Sequence, residues 1–117
     1  MVNFVATQII NIEKNYPTVD EAMNRLRLEI STLKRIGVKS AKVIHGYGST
    51  GNGGAIRQAS RLYLKKMHLD KKISGMCLGE HFGPFEKDGR EMLNLDKTLR
   101  NDPDWARQND GITVIVF

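Results

Sequence analysis

An α/β fold is predicted, a two-layer sandwich in β-α-β-α-β order with a late helical insertion and a C-terminal strand. Three stretches carry that prediction. Val19, Ala22, Met23, Leu26, Ile30, Leu33 and Ile36 recur at three- and four-residue spacing, which is one face of a helix. Lys42-Val43-Ile44-His45 is a short apolar run that feeds a loop with five glycines in the nine residues 46–54, and a second amphipathic segment follows at once. Ile112-Thr113-Val114-Ile115-Val116-Phe117 is rich in β-branched residues and reads as a strong strand.

Taken in order, residues 2–13 alternate loosely, are rich in Val, Ile, Phe and Thr, and predict a first strand. Lys14-Asn15-Tyr16-Pro17 ends it. Thr18 is placed to cap the first helix, with Glu21 three residues on completing a capping box, and Gly37 is placed to stop it. Val38 to Ile44 predicts the second strand. The second helix is expected from Gly54 to His68, burying Ile56, Ala59, Leu62, Tyr63 and Met67. Ile73 to Leu78 reads as a weaker third strand, and Phe82-Gly83-Pro84-Phe85 as a loop. A helix is expected over Lys87 to Arg100, with Met92, Leu95 and Leu99 inward. Helices on one face of a small mixed sheet satisfy this order.

At 117 residues the chain is one domain, 1–117, long enough to bury a core without disulfides. Its one cysteine, Cys77, has apolar neighbours and reads as core; a reducing, cytoplasmic setting is expected. No membrane-spanning run is visible. The net charge of +5 is unevenly laid down: residues 1–79 hold 13 Lys and Arg against 5 Asp and Glu, and residues 80–117 hold 5 against 8. A basic face of that kind favours polyanions, nucleic acid above all.

Glycines in the 46–54 loop leave backbone N–H groups without side-chain cover beside a helix start, and that combination holds anions, phosphate in particular. Arg57, Arg61 and Lys65 follow at successive four-residue steps and form a basic ridge that begins at the loop. The spacing Gly46-x-Gly48-x-x-Gly51 formally fits a dinucleotide fingerprint, but Lys71-Lys72 stands where an acidic ribose partner belongs. A Walker loop is excluded because no Lys-Ser/Thr follows the glycines. Neither His68, His81 nor Cys77 is spaced with other ligands as a metal site requires, so no metal ligand is assigned.

The helix from Thr18, the strand ending His45-Gly46-Tyr47-Gly48, the later Gly54-Ala55-Ile56-Arg57 and the terminal Gly111 to Ile115 together resemble a Smr domain, the small MutS-related module. The resemblance spares about 80–110, which is then an insertion relative to the family. It implies a sandwich like the C-terminal domain of translation initiation factor three, with binding of DNA or RNA; some members nick or cleave nucleic acid. Its signature falls on His45, Gly46, Gly48, Gly54 and Arg57. Two departures stand out. Ser49 to Gly53 fill a spacer that is one residue long in the family. Nuclease-active relatives carry Leu-Asp-Leu-His at the end of the first strand, where this chain reads Ile10-Asn11-Ile12-Glu13.

Asn11 lacks the carboxylate a base or hard-metal ligand needs, and Glu13 replaces a proton-shuttling histidine. Nucleic-acid binding through Gly46, Tyr47, Gly48, Gly54, Arg57, Arg61 and Lys65 is therefore expected in preference to cleavage. One alternative is a metal-assisted endonuclease using His45 and Glu13, the only reading that brings in Mg²⁺ or Mn²⁺; the other is a small-phosphate or nucleotide-binding protein. Two roles are open to His45: general base or phosphate donor, or a strand-end histidine bonded to backbone. Arg57 either meets phosphate or pairs with Glu13 or another acid. Tyr47 either stacks on a base or covers the glycines. The insertion is expected to pack Phe82, Phe85, Met92 and Trp105 over one sheet edge, or to act as an acidic lid over the ridge.

Overall fold

A computed structural model describes residues 7–48 and 53–117. The predicted start of the first strand at 2–6, and Ser49 to Asn52 of the loop, lie outside the described residues. The elements are β1 (Gln8–Asn11), α1 (Val19–Arg35), β2 (Ser40–Ile44), α2 (Gly53–Leu69), β3 (Gly75–Leu78), α3 (Lys87–Leu95) and β4 (Ile112–Val116). The four strands form one mixed sheet in the order β1-β2-β4-β3. β1 runs parallel to β2, while β4 lies antiparallel to both β2 and β3. This is the predicted α/β sandwich, with the last strand in sequence placed inside the sheet.

α1 starts where its sequence requires. Thr18 accepts from the Glu21 N–H at 3.1 Å, and the Glu21 carboxylate accepts from the Thr18 N–H at 2.9 Å, a complete capping box. It ends in a Schellman motif, with the Val38 N–H on the Leu33 carbonyl, the Gly37 N–H on the Lys34 carbonyl, and Gly37 at φ 83°. Ala22, Met23, Leu26, Ile30 and Leu33 are buried as the spacing predicts. Ile36 is exposed, because the helix has already ended and its side chain leaves the stripe.

The α2 stripe is rotated from the expected one. Ile56, Ser60 and Leu64 are fully buried, whereas Leu62, expected inward, is exposed. Ser60 is tolerated there because its hydroxyl donates to the Arg57 carbonyl of the preceding turn at 3.0 Å. α1 and α2 cover one face of the sheet, over Ile10, Ala41, Val43 and Ile115.

Residues 80–110, expected to pack as an insertion over one sheet edge, cover the other face of the sheet instead. Met92, Leu99, Phe82 and the partly buried Trp105 pack on Cys77, Ile112, Val114 and Val116, the alternate side of the same strands. Polar struts fasten it. The Ser40 hydroxyl donates to Asp96, and the buried Lys42 ammonium bonds Asp102 at 3.0 Å and Asp104 at 2.7 Å. Burial pulls the Lys42 pKa down, but its hydrogen bonds to Asp104 and Asp102 outweigh it and leave the pKa raised. Asp96 also splits the expected 87–100 helix in two: its backbone is extended, and its carboxylate caps a short 3-10 turn at the Thr98 N–H. Phe85 departs from expectation most plainly, since it stands 91 % exposed instead of joining this cluster.

Cys77 is buried as predicted, and burial pushes its thiol up to about 12. Among the described residues no helix is long and apolar enough to cross a membrane.

Candidate nucleic-acid interface

The C-terminal end of β2 carries the site. Asn11, at the end of the neighbouring β1, accepts from the backbone N–H groups of Glu13 and Lys14 at 3.1 Å each. Its amide thus makes a side-chain turn, which is what asparagine does well at strand ends. That turn delivers Glu13 to Gly46. Gly46 sits at φ 79°, a backbone conformation that demands glycine, and the end of the exposed Glu13 side chain lies where a Cβ would be.

His45 is fully buried. Its Nδ1 lies 2.9 Å from the Gly46 carbonyl, and its Nε2 lies 2.9 Å from Thr113 Oγ1. A carbonyl only accepts, so Nδ1 is assigned the proton, and Nε2 then accepts from the Thr113 hydroxyl. Thr113 Oγ1 in turn accepts from Arg61 Nε at 3.0 Å. Every donor in this chain meets an acceptor, and the ring has no nitrogen left for a substrate. Burial lowers the His45 pKa to about 4, with the Arg61 and Arg57 charges adding to the effect, so the ring is neutral at pH 7.

A pH dependence follows from this burial. The ordinary histidine pKa of 6.5 lies above the folded value of about 4. Between those values the unfolded chain takes up a proton that the folded chain refuses, so stability is complete above about pH 7 and falls as the pH drops through 6.5 toward 4. The gap corresponds to about 3 kcal/mol. Urea unfolding at pH 7, 6 and 5 is expected to show that decline, and His45→Asn to be less stable at pH 7 but nearly flat across the range. An equal decline in the variant would assign the effect to other groups.

The basic ridge is split by the structure into three different environments. Arg61 is enclosed, with its side chain 14 % exposed. Besides Thr113 it donates to both Glu80 oxygens, at 3.1 and 2.7 Å, and to the Asp110 and Ile112 carbonyls at 3.3 and 2.9 Å. Arg57 is more open at 29 %; its Nε donates to the Asp110 carbonyl at 3.1 Å, and one Nη reaches Glu80 at 3.4 Å. Its other Nη makes no protein hydrogen bond among the described residues. Lys65 is exposed. Burial opposes the charge of Glu80, but the Arg61 hydrogen bonds outweigh it and hold its pKa below the ordinary range.

The loop itself is anchored by backbone. His45 and Gly46 both donate to the Gly111 carbonyl, at 3.1 and 3.0 Å. Tyr47 is exposed, with one side of its ring against Gly111, so it covers that glycine. Gly48, at φ 86°, lies beside Gly54, and the two ends of the glycine loop therefore meet. The first turn of α2 contains no acidic residue, whereas that of α1 holds Asp20 and Glu21. The positive end of the α2 dipole is thus left uncompensated by acid.

Sequence reasoning brought His45, Gly46, Gly48, Gly54 and Arg57 to one place and missed the groups that hold them. Glu80, Asp110 and Thr113 come from the two flanks of the insertion. A hydroxyl inside an otherwise apolar strand was the available signal, since a buried Thr113 must find a partner. Glu13 sits at the loop but does not bond the His45 ring. Among the described residues no group of three or more His, Cys, Asp or Glu side chains is arranged to hold a metal ion.

A family model described as Smr domain matches residues 16–82, more than half of the chain. No curated protein and no solved structure matches it.

Proposed function

The chain belongs to the Smr domain family, and from that premise we propose that it binds nucleic acid by its phosphate backbone, with Arg57 as the principal contact. The observation that carries this reading is the unequal use of the two arginines. Arg61 spends its donors on the protein, whereas Arg57 is oriented by the Asp110 carbonyl and Glu80 and keeps an Nη group for a ligand. A guanidinium held in that way presents the N–H donors of its remaining Nη, with its charge, to a phosphate. The adjoining loop, the start of α2 and the exposed Lys65 extend the cationic path.

A metal-assisted endonuclease built on His45 and Glu13 is supported less well. His45 is neutral, buried and bonded at both ring nitrogens, and Asn11 uses its side chain to form a turn. Holding phosphates requires none of these groups to react.

Fluorescence anisotropy with labelled DNA and RNA at two salt concentrations tests the proposal. Arg57→Ala is expected to weaken binding about tenfold and to reduce the salt slope by about one, while costing less than about 1 kcal/mol of stability. Unchanged affinity in this variant would defeat the assignment.

A further inference from the structure

Beside the paired arginines opens a cleft of about 300 Å³, bordered by Glu80, His81, Phe82, Phe85, Glu86 and Gln108 among others. Resting on the reading of Arg57 as a phosphate contact, we propose that this cleft receives a single unpaired nucleobase, with guanine favoured, so that the domain takes single-stranded rather than duplex nucleic acid. A cleft of this size is at the lower end of those that enclose small ligands.

Its two phenyl rings are used differently. Phe82 is 1 % exposed and meets Trp105 edge-on at 5.0 Å, so it forms a fixed floor. Phe85 borders the same cleft 91 % exposed, its ring not spent on the core. A free aromatic face beside a cationic path is what an unstacked base uses. A base within a duplex is already stacked and paired and has no such face to offer.

The polar lining selects what enters. The ionised carboxylates of Glu80 and Glu86 only accept hydrogen bonds and repel phosphate, so the group that enters must present N–H donors. The exposed Glu86 carboxylate makes no capping hydrogen bond to α3. Guanine carries two adjacent donors, N1–H and N2–H₂, which match the two oxygens of one carboxylate. Thymine and uracil flank their one ring N–H with carbonyl oxygens, which a carboxylate repels. Glu80 joins the two halves of the site: it lines the cleft, and Arg57 and Arg61 fix its position. A strand whose phosphate lies on Arg57 therefore runs past the cleft mouth.

The test is anisotropy at low salt with three probes: an oligothymidylate carrying one central guanine, the same strand without guanine, and a duplex of equal length. Phe85→Ala, at a position too exposed to endanger the fold, is expected to weaken the guanine-containing strand about tenfold while changing the duplex less than about twofold. Phe85→Tyr is expected to restore the single-strand affinity, and Glu86→Gln to narrow the gap between strands with and without guanine. If Phe85→Ala leaves the single strand unchanged, or weakens strand and duplex alike, while Arg57→Ala still weakens both, the cleft proposal falls and the Arg57 reading stands. If the unmodified protein binds none of the three probes, both fall.

Discussion

Arg61→Ala is expected to lower the unfolding free energy by about 3–5 kcal/mol, several times the loss from Arg57→Ala four residues earlier. The two side chains look alike in sequence and share Glu80 as a partner. They differ in what their removal strands. Without Arg61, the Ile112 carbonyl and the buried Thr113 hydroxyl lose a donor, and the Asp110 carbonyl and the partly exposed Glu80 carboxylate are left with Arg57 alone. Leaving partly buried acceptors unpaired costs their desolvation, and the loss is greater for a charged one. Arg61→Lys is expected to recover only a minor part, because one ammonium cannot span four acceptors set around a planar fork. Urea unfolding of the three variants measures the order directly. If Arg57→Ala proved the more destabilising, Arg57 would be the strut and Arg61 the candidate ligand contact.

The second large effect lies on the opposite face. Lys42→Met is expected to cost about 3–5 kcal/mol, since it leaves two carboxylates facing each other beside an apolar face. Asp102 is 4 % and Asp104 22 % exposed at the side chain, so neither is well placed to recover its hydration. Trp105 follows Asp104 in sequence, meets Phe82 edge-on and is the sole tryptophan of the chain, which makes its emission a local reporter. A red shift is expected in Lys42→Met at denaturant concentrations where the unmodified protein is still native. Adding Asp102→Asn and Asp104→Asn is expected to return much of the loss. Failure of that rescue would mean that the methylene stem of Lys42, rather than its charge, holds the insertion.

How legible these features were depended on whether a residue's role was local. The capping box at Thr18 and the stop at Gly37 are settled within a few residues, and both are found as read. The α2 stripe was misjudged because Ser60, a polar residue, occupies a buried position and Leu62 an exposed one; polarity points outward unless a hydroxyl can return its bond to its own helix. The loop, the histidine and the ridge were visible as neighbours in sequence. Whether an arginine was free or engaged was not, because Glu80 and the 110–113 backbone reach Arg57 and Arg61 only through the sheet. The acidity of the insertion was likewise plain, but its direction was hidden. Asp96, Asp102 and Asp104 are turned to Ser40 and Lys42 under the sheet, and only Glu80 and Asp110 at its two flanks meet the ridge.

The position of β4 bears on how the molecule comes into being. It pairs Ser40 with Val116 on one side and Gly75 with Val116 on the other, so β4 must enter between two strands that precede it in the chain. Until it does, β2 and β3 have no common neighbour, and the carbonyls that aim both arginines are absent. During synthesis the helices and the signature residues before β4 therefore emerge first as a basic, half-built surface, and the interface acquires its shape only once β4 is in place. A fragment cut to residues 16–82 would retain the recognisable signature and lack the backbone that orients it.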